Sequence, residues 1–90
     1  MGTFHDDRHE LHGITVVVDT RGDEIFIGRC DDIDAQHVRL VDVDVHRNGE
    51  AGRSKEAYVA RAAQLGFWSK HPRVDIPVGE VTSIRRLGDL

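Results

Sequence analysis

The 90 residues include one cysteine, two prolines, one tryptophan and one tyrosine. The lone cysteine, Cys30, excludes an intramolecular disulfide and a cysteine-based zinc cluster, and it fits a reducing compartment. No apolar run approaches the roughly 18–20 residues that cross a bilayer. Residues 1–13 lack a basic stretch followed by an apolar one, so no export signal is read and a cytoplasmic protein off the membrane is expected. A phosphate-cradling glycine loop, a nucleophile elbow and a His-Glu-x-x-His zinc motif are also missing. Neither an enzyme nor a cofactor is therefore expected.

With 39% apolar and 31% charged residues, the chain is neither disordered nor disulfide-dependent in composition. Its length predicts one domain over residues 1–90, burying only about two-thirds of the unfolded surface. The net charge of −4 hides an asymmetry. Residues 1–45 carry eleven acids against four arginines, whereas residues 46–90 carry five acids against eight Lys/Arg. An acidic total argues against a partner of duplex DNA, whose binding depends on neutralising phosphates. A local basic face from Arg53, Lys55, Arg61, Lys70, Arg73, Arg85 and Arg86 stays open, as do acidic-to-basic contacts between subunits.

Residues 1–12 are polar and read as a short helical turn or a frayed end. Residues 14–20 are largely β-branched and too short for an ordinary helix, so they predict a first strand. Arg21-Gly22-Asp23 reads as a tight turn in which Gly22 supplies positive φ. Residues 24–30 form the return strand, and Gly28 within it marks a bend that a side chain would obstruct. Residues 31–36 carry the aspartates of a capped turn.

A long strand follows over 37–46, with Val38 and Leu40 on one face and Val41, Val43 and Val45 on the other. Such a phase change predicts a bulge. Residues 47–73 interrupt the strands. Within them Ser54 reads as the N-cap of a helix over 55–65, Gly66 as its stop, and Tyr58, Ala62 and Leu65 as its buried stripe. Phe67 and Trp68 are placed to plug one mouth of the sheet. Residues 74–78 and 81–87 are two last strands joined at Gly79-Glu80, with Pro77 at an edge. The expected fold is mainly β: five bent antiparallel strands closing into a small barrel, with one helix inserted between the third and fourth.

Gly28-Arg29-Cys30-Asp31-Asp32-Ile33-Asp34 is similar to the first motif of the Sm/Lsm family, which includes the bacterial RNA chaperone Hfq. That motif has a strand glycine, an apolar residue two positions later and an aspartate six positions later, here Gly28, Cys30 and Asp34. Ile76 to Ile84 resembles the second motif, in the Hfq style. The resemblance covers residues 13–46 and 74–87. It implies an Sm-like (SH3-like) barrel, pairing of the fourth and fifth strands of neighbouring copies into a closed ring, and binding of single-stranded RNA. Asp34 would order its own loop. The polar base-reading position falls on Gln36 or His37, where the family usually has Asn, and the last turn carries Glu80, which repels phosphate.

Arg85, Arg86 and Trp68 complete the candidate RNA-contacting set, Trp68 by stacking on a base. Adjacent aromatics such as Phe67 and Trp68 also serve as core or interface. His5, His9 and His12 fall one turn apart on a helix and could converge on Zn²⁺ or Ni²⁺, although no second shell is apparent. Cys30 reads as an inert core residue. Asp31, Asp32 and Asp34 read as turn caps, and Asp42 and Asp44 as a solvent face or a like-charged seam. The expected function is a non-enzymatic, ring-forming, RNA-binding module. The alternatives are a protein-interaction module using the inserted helix and the Phe67-Trp68 corner, or metal binding through the N-terminal histidines.

Overall fold

The computed structural model describes residues 11–90. Five strands run in chain order: β1 (Thr15–Thr20), β2 (Glu24–Ile33), β3 (His37–Arg47), β4 (His71–Pro77) and β5 (Val81–Arg86). One helix, α1 (Lys55–Leu65), lies between β3 and β4. The strands form one antiparallel sheet in the order β4-β3-β2-β1-β5. The two ends of that order nevertheless share a core. Ile76 of β4 is buried in the same cluster as Val18, Phe26 and Leu40, and Val81 and Ile84 of β5 pack against it. The sheet is thus rolled over its own inner face, although no β4–β5 pairing joins its borders among the described residues.

The rolling has a local cause at Gly28. Ile27 pairs with Asp44 and Arg29 with Val41, so Gly28 faces two residues, Asp42 and Val43. Asp42 takes up the extra length at φ 54°, a left-handed conformation uncommon outside glycine. This is the expected bulge, and its consequence corrects the expected faces. Val43 and Val45 return to the core side of Val38 and Leu40, while Val41 joins neither core cluster. A Cβ on Gly28 would lie 2.9 Å from Val43 Cγ2 and 3.2 Å from the Val41 carbonyl oxygen, so only glycine lets β3 cross so closely.

Other expectations shift at the edges. Asp31, Asp32 and Ile33 continue β2 rather than forming a turn, and β4 begins at His71 instead of residue 74. Gly22 is not at positive φ. Its turn is fastened instead by Thr20 Oγ1, which donates to the Glu24 carbonyl at 2.6 Å. Cys30 is 2% exposed within the inner core, and its thiol pKa is raised by burial and by Asp31 and Asp32.

On the outer face, Val17, Ile25 and Ile27 hold α1 through Val59 and Ala62. Ser54 Oγ accepts from the Ala57 amide at 3.1 Å, and Gly66 ends the helix at φ 82°. The expected stripe needs correction: Val59 and Ala62 are buried, Tyr58 is half-buried, and Leu65 is 70% exposed. Phe67 packs against this outer core, but Trp68, 83% exposed, plugs nothing. Lys55, counted as part of a basic face, is instead a strap. Its ammonium reaches Asp19 Oδ1 at 2.7 Å and the carbonyls of Thr20 and Gly22 at 2.9 and 2.6 Å, tying the start of α1 to the first hairpin.

Candidate nucleic-acid interface

The loop between β2 and β3 is built around one carboxylate. Asp34 Oδ1 accepts from the amides of Gln36 and His37, both at 2.8 Å, while Oδ2 takes the Arg39 guanidinium at 2.9 Å. Those two amides, more than the nearby arginine, hold the Asp34 carboxyl below the usual range. Arg39 also approaches Asp32 at 3.5 Å and Asp75 at 3.7 Å, linking the end of β2, the loop and β4. The loop therefore holds a fixed shape with Gln36 exposed and His37 half-buried. His37 Nδ1 is enclosed without a hydrogen-bond partner. The Gln36 carbonyl accepts from the Val78 amide at 2.9 Å, which sets this loop beside the β4–β5 connection, Val78–Glu80.

Arg85 and Arg86 lie elsewhere. They end β5, opposite Val17 and Val16 respectively. Because those valines belong to the outer and inner cores, the two guanidiniums leave the sheet on opposite faces. Trp68 sits on the segment between α1 and β4. The structure thus brings Gln36 and His37 together and leaves Arg85, Arg86 and Trp68 at separate places on the chain.

Of the candidate metal ligands, His5 and His9 lie outside the described residues. Asp31's carbonyl oxygen is 2.6 Å from His12 Nδ1, a contact that makes this nitrogen the donor. No group of three His, Cys, Asp or Glu is gathered for a metal among the described residues.

The sequence reading missed a polar cluster under α1. Asp44, expected at the surface or in a seam, is 6% exposed. Its Oδ2 accepts from the Tyr58 hydroxyl at 2.6 Å, and Lys70 Nζ lies 3.5 Å from Oδ1. Burial first, then the bond to Asp44, pushes the Tyr58 phenol pKa well up. His46, 5% exposed, stacks on Tyr58, with Nε2 2.9 Å from the Arg53 carbonyl oxygen. The signal lay in the bulge: once β3 slips by one residue, Asp44 and His46 must face the helix.

No family model and no curated protein matches the chain. Among solved structures it is similar to an Sm protein of Pyrococcus abyssii in complex with a uridine heptamer. That likeness has a TM-score of 0.61 and 19% identity, covering 91% of this chain and 94% of the other. A chain of the NatC complex bound to CoA is also similar, with a TM-score of 0.59 and 22% identity over 87% of this chain and 80% of that one. The fold is a divergent Sm-like fold.

Proposed function

We propose that the protein is a non-enzymatic Sm-like module that binds single-stranded RNA and assembles with copies of itself into a ring. The observation that carries this reading is the Asp34 loop. A carboxylate braced by two amides and a guanidinium fixes an exposed Gln36 beside the last turn. Gln36 and His37 read the base, and Arg85, Arg86 and Trp68 add contacts to the strand outside that loop. Likeness in fold to an Sm protein solved with a uridine heptamer supports the choice of ligand. The sheet borders support the ring: β4 and β5 each lack a neighbour on their outer side among the described residues, and identical copies can cover both.

Fluorescence anisotropy of labelled uridine- and adenosine-rich heptamers tests the reading. Binding that weakens steeply between about 50 and 200 mM salt, and that Gln36→Ala reduces, supports it. Absence of binding to all such oligonucleotides overturns it in favour of a protein-interaction module built on α1 and the Phe67-Trp68 corner.

A further inference from the structure

A cleft of about 210 Å³ opens between the end of α1, the segment leading to β4 and the middle of β3, lined by Asp44, Arg53, Tyr58, Arg61, Trp68 and Lys70 among others. It stands apart from the Gln36 loop, since Lys70 precedes the first residue of β4 and the turn at Val78 follows its last. Three features define its chemistry. Arg53 and Arg61 have no carboxylate within ion-pair distance among the described residues, and Lys70 beside them keeps a 67% exposed side chain. Trp68 holds a largely bare indole at the rim, anchored by its neighbour Phe67 in the outer core. On the floor, Asp44 is buried with Oδ2 bonded to Tyr58 and Oδ1 without a hydrogen-bond donor.

Resting on the RNA-binding reading above, we propose that this cleft holds one nucleotide of a single-stranded RNA, with the base stacked on Trp68, the phosphate on Arg53, Arg61 and Lys70, and a base amino group donating to Asp44 Oδ1. A buried carboxylate oxygen without a donor is costly, and Lys70 covers it without closing a hydrogen bond. As Lys70 swings out to the phosphate, the amino group of adenine, cytosine or guanine takes its place. Uracil fits poorly, because its N3–H is flanked by two carbonyl oxygens that the carboxylate repels. An acidic peptide would satisfy the three cations but would set further carboxylates against Asp44. The cleft therefore selects against the one base that the fold's likeness to a uridine-binding Sm protein would suggest.

Trp68 is the only tryptophan, so its fluorescence reports on this cleft alone. Hexaadenylate, hexacytidylate, hexauridylate and hexaglutamate are titrated into the full chain at two salt concentrations. The expected result is saturable quenching by the first two RNAs, about tenfold weaker quenching by hexauridylate, and none by the peptide. Arg61→Ala, at an exposed position, should weaken all three RNAs alike and lower the salt slope by about 0.7. Asp44→Asn, with folding checked by thermal melting, should bring hexauridylate level with the others. Equal quenching by the three RNAs overturns the role of Asp44, and quenching by hexaglutamate as strong as by RNA overturns the nucleotide. Uridine-rich RNA that binds by anisotropy without any RNA changing Trp68 emission sinks the cleft and leaves the Gln36 loop standing.

Discussion

Tyr58 lies flat on His46, with ring centroids 4.4 Å apart and planes 4° from parallel, while its hydroxyl donates to Asp44 at 2.6 Å. One helical side chain thus covers two buried polar groups that the bulged β3 turns towards α1. It is also the chain's only tyrosine.

That arrangement predicts an unusual titration. The raised phenol pKa means that the folded chain keeps its proton above about pH 10, where an unfolded tyrosine loses it. The resulting stabilisation is fully present below about pH 10 and fades as pH rises towards the folded value. Absorbance at the tyrosinate band should therefore appear only with unfolding, in step with loss of the circular dichroism signal. A tyrosinate signal near pH 10 from folded protein would contradict the buried bond. Tyr58→Phe should cost roughly 1–3 kcal/mol in urea denaturation, because Asp44 stays buried with neither oxygen satisfied.

Gly28→Ala tests the bend. The new methyl meets Val43 Cγ2 at 2.9 Å, the Val41 carbonyl oxygen at 3.2 Å and Leu40 Cβ at 3.3 Å, and a strand carbonyl cannot swing aside. A loss of roughly 1–3 kcal/mol is expected from urea midpoints. Adding Val43→Ala should recover only part of it, since the carbonyl contact remains. Wild-type stability for the single variant would mean that β3 does not cross β2 this closely at Gly28.

These two sites show what the residue pattern carries and what it hides. Gly28 among β-branched residues and the slipped alternation of 38–45 locate the bend, because both are local consequences of one extra residue. The burial of Asp44 is not local. It depends on Tyr58, on an inserted helix fourteen positions away, and alternation alone assigns a charged residue to water. The helix stripe fails for a related reason. In a short alanine-rich helix the buried side is chosen by the surface it meets, here Val17, Ile25 and Ile27, and that surface selects Val59 over Leu65. Lys55 reads as one more surface cation until its three acceptors in the first hairpin are in place. In the candidate interface, the Asp34 loop follows from adjacent residues, whereas the cleft at Trp68 needs β3, α1 and the segment before β4 together.

Asp34 should make the loop acid-sensitive. With its folded pKa held below the usual carboxylate value of about 4, its contribution is complete above that value and is lost as pH falls from there through the lowered folded value. Amide hydrogen exchange at Gln36 and His37, corrected for intrinsic rates, should quicken on acidification. Asp34→Ala should quicken it at neutral pH and remove the acid dependence. Unchanged protection of both amides in that variant would show that the loop is held by something other than the carboxylate.

The ring makes the last demand, on β4. The amides of Lys70 and Val78 point inward, to Val43 and Gln36 on the β3 side. Antiparallel alternation then turns the amides of the odd-numbered residues between them outward, Arg73 among them. Pro77 has no amide hydrogen to offer, so Arg73 and Asp75 carry the free edge near the strand's centre, and Asp75 is also occupied with Arg39. Arg73→Pro removes one outward donor without breaking an inward one, at an exposed position of an extended strand. Light scattering at micromolar concentration should give a closed multimer for the wild type and a smaller species for Arg73→Pro, with circular dichroism unchanged. A monomeric wild type refutes the ring outright. An Arg73→Pro variant that keeps the wild-type mass shows that copies meet through some surface other than this strand edge.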